Sequence, residues 1–216
     1  MAPPPNLRRR RALADGAIEV LARDGVHGLS HRAVDEAAGV PAGTASNYFR
    51  SRDALLQAVT ERILELHRAD MEASTAVFPG PVDRDGLAAL LAASLEHCAT
   101  VHRSRYLAAC ALTLEAARRP ALQRALDAMQ ARAVDYALAH HRLVGLATTR
   151  EDVETLTTMF SGALFTLLTG TAGPDIGTAA RTLARALVDG IRSAVPLAAV
   201  GTEQRPGAGG PRSAAS

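Results

Sequence analysis

From Gly28 to Leu55 the chain reads GLSHRAVDEAAGVPAGTASNYFRSRDAL. Ser30 is a good N-cap for a short helix, His31 to Ala38, with apolar positions at Val34, Ala37 and Ala38. Gly39-Val40-Pro41 ends it, because proline lacks the amide that a further helical turn needs. Ala42 to Tyr48 has the length and composition of a second short helix. Ser51 then caps a much longer one, Arg52 to Ala76, whose Leu55, Leu56, Val59, Ile63 and Leu66 recur at intervals of three and four. Two short helices across a glycine-containing turn make a helix-turn-helix, in which the second helix, here Ala42 to Tyr48, enters the major groove of B-DNA, about 12 Å wide.

The residue types on that second helix suit a surface pressed against DNA. Gly43 lets backbone approach closely, and Thr44, Ser46, Asn47 and Tyr48 can donate to phosphates or base edges. The amides at the start of this helix and of the long helix after Ser51 are expected phosphate sites, where Arg52 adds a full charge and Arg50 a further contact. Arg32 and Ala42 complete the expected DNA-facing set.

The remaining sequence predicts an all-α protein of about nine helices. Apolar residues make up 48% of 216 positions, aromatics only 3%, and Trp is absent, a composition that favours packed helices over strands. Leu7 to Asp24 forms the first helix, with Leu13, Ala17 and Leu21 on one face and Gly25 in the left-handed position after its end. Phe78-Pro79-Gly80-Pro81 breaks the chain after the long helix. Further helices are expected at Asp85 to Val101, Ser104 to Ala117, Arg119 to Val144, Arg150 to Gly170 and Asp175 to Val195. Pro120 suits a first turn, and Thr149 with Asp152 reads as a capping box. The expected units are a DNA-binding domain over 1–53, a helical ligand-sensing and dimerisation domain over 54–196, and a disordered Gly/Pro/Ser/Ala tail over 197–216.

Charge is locally more informative than globally. The net charge is only +2, every basic residue is arginine, and residues 1–60 also carry +2. Arg8 to Arg11 are concentrated at one end, either as a basic arm reaching backbone or minor groove or as a solvated helix start. Cys98 and Cys110 lack metal-ligand or redox spacing and read as buried free thiols. No apolar run reaches the roughly 18–20 residues of a membrane span, and a cytoplasmic location is expected.

At these residues the chain closely resembles the tetracycline-repressor (TetR) family of bacterial one-component regulators. The match covers about Leu7 to Leu66, carried by Ala37-Ala38-Gly39-Val40, Gly43-Thr44, Tyr48-Phe49, and Ser51-Arg52-Asp53 with Leu55. The resemblance implies a homodimer, a C-terminal ligand pocket and DNA release on ligand binding. By position it makes Thr44, Tyr48 and Arg52 phosphate contacts, and Phe49 the core residue seating the recognition helix. Ser46 stands where the family often places an aromatic residue, and Arg52 where it usually has lysine.

In the C-terminal half, Val153, Leu156, Phe160, Leu164 and Leu167, then Leu183, Leu187, Ile191 and Val195, form stripes suited to four-helix packing between subunits; burial within one chain would produce the same stripes. His97, Cys98, His102, Tyr106, Cys110, Glu115, Tyr136 and His140 can line a cavity with a few polar groups on apolar walls. No cofactor and no metal site is expected: His97 and His102 are five apart, off a common helical face, and His140 and His141 diverge. A small hydrolase lacks any GxSxG, HExxH, P-loop or GxGxxG signature. A helical adaptor leaves the polar recognition helix without a purpose. The expected function is therefore a non-enzymatic, DNA-binding transcriptional regulator, a repressor released from its operator by a small molecule.

Overall fold

The computed structural model describes residues 5–77 and 82–191, which form nine helices and no strand. In chain order they are α1 (Pro5–Gly28), α2 (His31–Ala37), α3 (Thr44–Tyr48), α4 (Arg52–Val77), α5 (Arg84–Ala99), α6 (Arg103–Ala116), α7 (Pro120–Leu143), α8 (Arg150–Leu168) and α9 (Ile176–Gly190). The expected disorder of 197–216 and the end of the last helix at Val195 lie outside the described residues.

Local chemistry accounts for most of the boundaries. Ser30 Oγ accepts from the Ala33 amide at 3.2 Å and Ser51 Oγ from the Ala54 amide at 3.1 Å, each satisfying a donor that the first helical turn leaves open. Thr149 and Asp152 form the expected reciprocal capping box, and Pro120 occupies the first turn of α7. Two boundaries differ from expectation. α1 already includes Pro5, since proline at a first turn forfeits only an amide that has no helical partner anyway. Its regular course breaks at Gly25 (φ 65°, ψ −170°), after which Val26 and Leu29 turn inward.

Two apolar cores result. The first joins Leu13, Ala17, Val20 and Leu21 of α1 to Val34, Ala45, Phe49, Leu55, Leu56, Val59 and Ile63, and it continues into Ala108, Leu112 and Ala116 of α6 and Leu122 of α7. The second gathers α5, α8 and α9 around Leu95, Leu156, Leu164, Leu167, Leu187 and Ile191. Each fully buried Leu or Val contributes about 1.5–3 kcal/mol of transfer free energy, enough to hold helices too short to persist alone. The described residues of the two C-terminal stripes are thus spent within the chain: Val153 is buried, and Phe160 and Leu183 pack against the second core. Packing within one chain accounts for them because α5 lies along α9 and supplies the opposing apolar face.

Candidate nucleic-acid interface

The five-residue α3 is gripped at both ends by α2. Residues four apart lie on one face of a helix, so His31 and Asp35 point the same way from α2. His31 Nε2 donates to the Phe49 carbonyl at the C-terminus of α3 (2.7 Å). Asp35, only 3% exposed, accepts the amides of Gly43 (2.7 Å) and Ala45 (2.6 Å) at its N-terminus. Gly43 precedes the helix at φ 87°, a left-handed conformation open to glycine at little cost. Ala45 and Phe49 face inward, and Ser46 and Asn47 face out.

The expected DNA contacts divide accordingly. Arg32, Ala42, Gly43, Ser46 and Asn47 are exposed, and Thr44 and Tyr48 half-buried. Thr44 Oγ1 donates to the Pro41 carbonyl (2.5 Å) and Ser46 Oγ to the Gly43 carbonyl (2.9 Å). Arg52 departs from the expected phosphate contact: its Nη2 donates to the Val26 carbonyl and its Nε is buried without an acceptor among the described residues. The guanidinium thereby fastens the end of α1 to the start of α4. The amides at the start of α3 also differ from expectation, since Asp35 occupies two of them. Arg8 to Arg11 belong to α1 rather than to a loose arm. Arg10 lies 4.7 Å above the Phe49 ring and 3.9 Å from Glu61, and Arg11 pairs with Glu65. Arg8, Arg9, Arg32 and Arg50 remain exposed. Asp35 and His31 escaped the sequence reading, although their spacing ahead of a glycine-led helix start is a usable signal.

The candidate ligand-pocket residues do not line one cavity among the described residues. His97 and His102 touch, ring centroids 4.5 Å apart, because the break between α5 and α6 folds one onto the other; the separation of five was read as though both lay on one helix. Cys98 is buried and hydrogen-bonds Tyr106, whose hydroxyl also sits 3.4 Å from His67 Nδ1 of α4; burial drives the Tyr106 phenol pKa far up and the Cys98 thiol upward. Asp70 of α4 pairs with the buried Arg105 at 2.5 Å. Cys110 packs against the second core, and both cysteines are free thiols. Glu115 pairs instead with Arg119, which also reaches Asp53 at 3.3 Å. Tyr136 lines a cleft of about 440 Å³ between α4 and α7 with Glu61, Leu64, His67, Arg68 and Arg132, and His140 is half-buried farther along α7.

A short helix clamped at both ends, presenting polar side chains ahead of a long helix, defines a helix-turn-helix DNA-binding regulator. Residues 13–59 match the family described as bacterial regulatory proteins, tetR family, and residues 82–191 match the tetracyclin repressor-like C-terminal domain. The chain belongs to the TetR family of transcriptional regulators. No curated protein matches it. Similar solved structures include a TetR-family regulator from Rhodococcus sp. (22% identity, 85% of this chain and 97% of that one, TM-score 0.66). A TetR-family member from Streptomyces coelicolor A3 is 29% identical over 82% of this chain and 96% of that one (TM-score 0.61). The multidrug binding protein EbrR, solved with ethidium, is 26% identical over the same shares (TM-score 0.61). Among the described residues no helix is long and apolar enough to cross a membrane.

Proposed function

We propose that the chain is a homodimeric repressor that binds a pseudo-palindromic operator and leaves it when a small-molecule effector binds. The observation that carries this reading is the double clamp of α2 on α3, which fixes Ser46 and Asn47 outward between the exposed Arg32 and Arg50. Thr44 and Tyr48 join them after local rearrangement, and Ala42 and Gly43 admit the DNA backbone. Arg52 acts by supporting this surface.

Dimerisation uses the outer faces of α8 and α9. Met159 (38% exposed) and Phe165 (47%) lie there on the side opposite the chain's own core, beside Gly162 and Ala186. Two heads so joined meet half-sites about 34–36 Å apart, or a fitted multiple. The effector acts by preferring a conformation in which the heads are wrongly spaced. EbrR bound to ethidium supports a small organic effector, and the best supported location is the α4–α7 cleft at Tyr136. There the effector touches the helix that also builds the head. In this reading 1–53 reads DNA and 54–196 senses and dimerises; the chain performs no catalytic step and works in the cytoplasm beside its operator.

A mobility-shift titration against the DNA upstream of its own gene, with random competitor at two salt concentrations, tests the proposal. A discrete complex that survives competitor supports it. Absence of any complex with that DNA, and with sequences selected from random pools, overturns it.

A further inference from the structure

We infer that His97 and His102 form the bite of a divalent transition-metal site, taking a late first-row cation such as Zn²⁺, Ni²⁺ or Cu²⁺. Their Nε2 atoms stand 3.1 Å apart. Two imidazole ligands about 2.0–2.1 Å from one cation, at angles between square and tetrahedral, place their nitrogens about 2.9–3.3 Å apart. The rings are nearly perpendicular, at 86°.

The backbone pre-forms this bite. His97 lies in the last turn of α5 and His102 is the residue before α6. The His102 amide donates to the His97 carbonyl at 3.0 Å, closing the turn that joins the two helices. The pair is reachable, with His97 exposed and His102 at the rim of a cleft of about 310 Å³ against α1 and α4.

The surroundings suit a cation. Asp70 Oδ2 of α4 stands 3.6 Å from His102 Nε2, near enough to ligate after a small shift or to hold a bound water. The same carboxylate neutralises Arg105, the cation nearest the pair. From α1, Asp15 and Glu19 face the cleft, with Arg62 and Leu66 of α4 opposite. Burial, reinforced by Arg105, lowers the His102 pKa and keeps the ring neutral for metal. Among the described residues no three His, Cys, Asp or Glu side chains gather into a complete metal centre. The site is therefore open, and water completes the coordination shell. That makes it an exchangeable, sensing site rather than a structural one.

The test is metal binding to the full, DNA-free protein. Zn²⁺ is titrated against a chromophoric chelator, and one equivalent of Cu²⁺ is followed by electron paramagnetic resonance. The expected result is one ion per chain with nitrogen coupling from two imidazoles. Affinity falls at least tenfold in His97→Ala and in His102→Ala, and holds in His27→Ala, an exposed histidine on α1. His97→Gln, which keeps the side chain's bulk at an exposed position, guards against a folding artefact. No binding by 1:1 stoichiometry, or binding that both His97 variants retain, overturns the site and leaves the pair sharing a proton. This outcome is independent of the mobility shift, so the site and the repressor reading fail separately.

Discussion

Asp35 carries more of the recognition surface than any residue that faces DNA. It is buried in a helix too short to hold itself, and its carboxylate replaces the intrahelical partners that the Gly43 and Ala45 amides lack. Asp35→Ala leaves both donors stranded and is expected to cost about 1–3 kcal/mol; thermal denaturation reads that loss, and mobility shift a parallel fall in affinity for every DNA sequence. The arginines separate by role. Arg50→Ala and Arg32→Ala should each reduce the salt slope of DNA binding by about one unit, as single phosphate contacts do. Arg52→Ala should lower the melting temperature and leave that slope unchanged; a reduced slope in Arg52→Ala would return it to the DNA-contacting set.

His141 gives the fold a dependence on acid. It is 7% exposed, with Nδ1 2.8 Å from Thr148 Oγ1, and burial, aided by His140, lowers its pKa to about 4. The unfolded chain takes up this proton near the ordinary value of 6.5. Between those values the unfolded state therefore binds more protons, so stability is present above pH 6.5 and is lost as pH falls toward 4, by as much as about 3 kcal/mol. Denaturant unfolding at pH 7.5 and pH 5.0 should show a smaller acid loss in His141→Gln than in the unsubstituted chain. Equal losses would mean that other groups govern the acid response.

At the scale of elements, α8 and α9 show how one helix serves two surfaces. Leu156, Leu164, Leu167 and Leu187 turn into the chain's own core, leaving Met159 and Phe165 on the outside. Phe165→Glu places a charge on that outer face without touching the core. The proposed interface then predicts a folded monomer by light scattering, with circular dichroism unchanged and operator affinity much reduced. A Phe165→Glu protein that stays dimeric would move the interface elsewhere. α2 and α3 illustrate the converse case, in which two short helices become one unit through two side chains of α2.

For the molecule as a whole, the head is not self-sufficient. Its core includes Leu55, Leu56, Val59 and Ile63 of α4 and is closed by Ala108, Leu112 and Ala116 of α6, while Arg119 ties Asp53 to the α6–α7 corner. A fragment of residues 1–53 lacks those partners and is expected to be largely unfolded by circular dichroism, since a unit that small has little apolar area to set against chain entropy. A cooperatively folded fragment would refute the shared core. The same sharing explains how an event at α4, α5 or α6 reaches α1–α3 without a long relay.

Periodicity, caps and turn residues made nine helices, their order and the helix-turn-helix legible before any coordinates, because these features act within a few residues of one another. Ser30, Ser51, Pro120 and the Thr149–Asp152 box each report a boundary through a hydrogen bond or steric limit that adjacent sequence determines. Direction was not legible. Whether Arg52 points to phosphate or to Val26, whether the α8 and α9 stripes face a partner or α5, and that His97 meets His102 across a turn, all depend on residues distant in sequence. Side chains settle into whichever neighbour packing brings to them, and packing is a property of the assembled helices. The sequence by itself determined what this chain is built from and its family; only the tertiary structure decided which face of each element is spent inside and which remains for DNA, a second subunit or a cation.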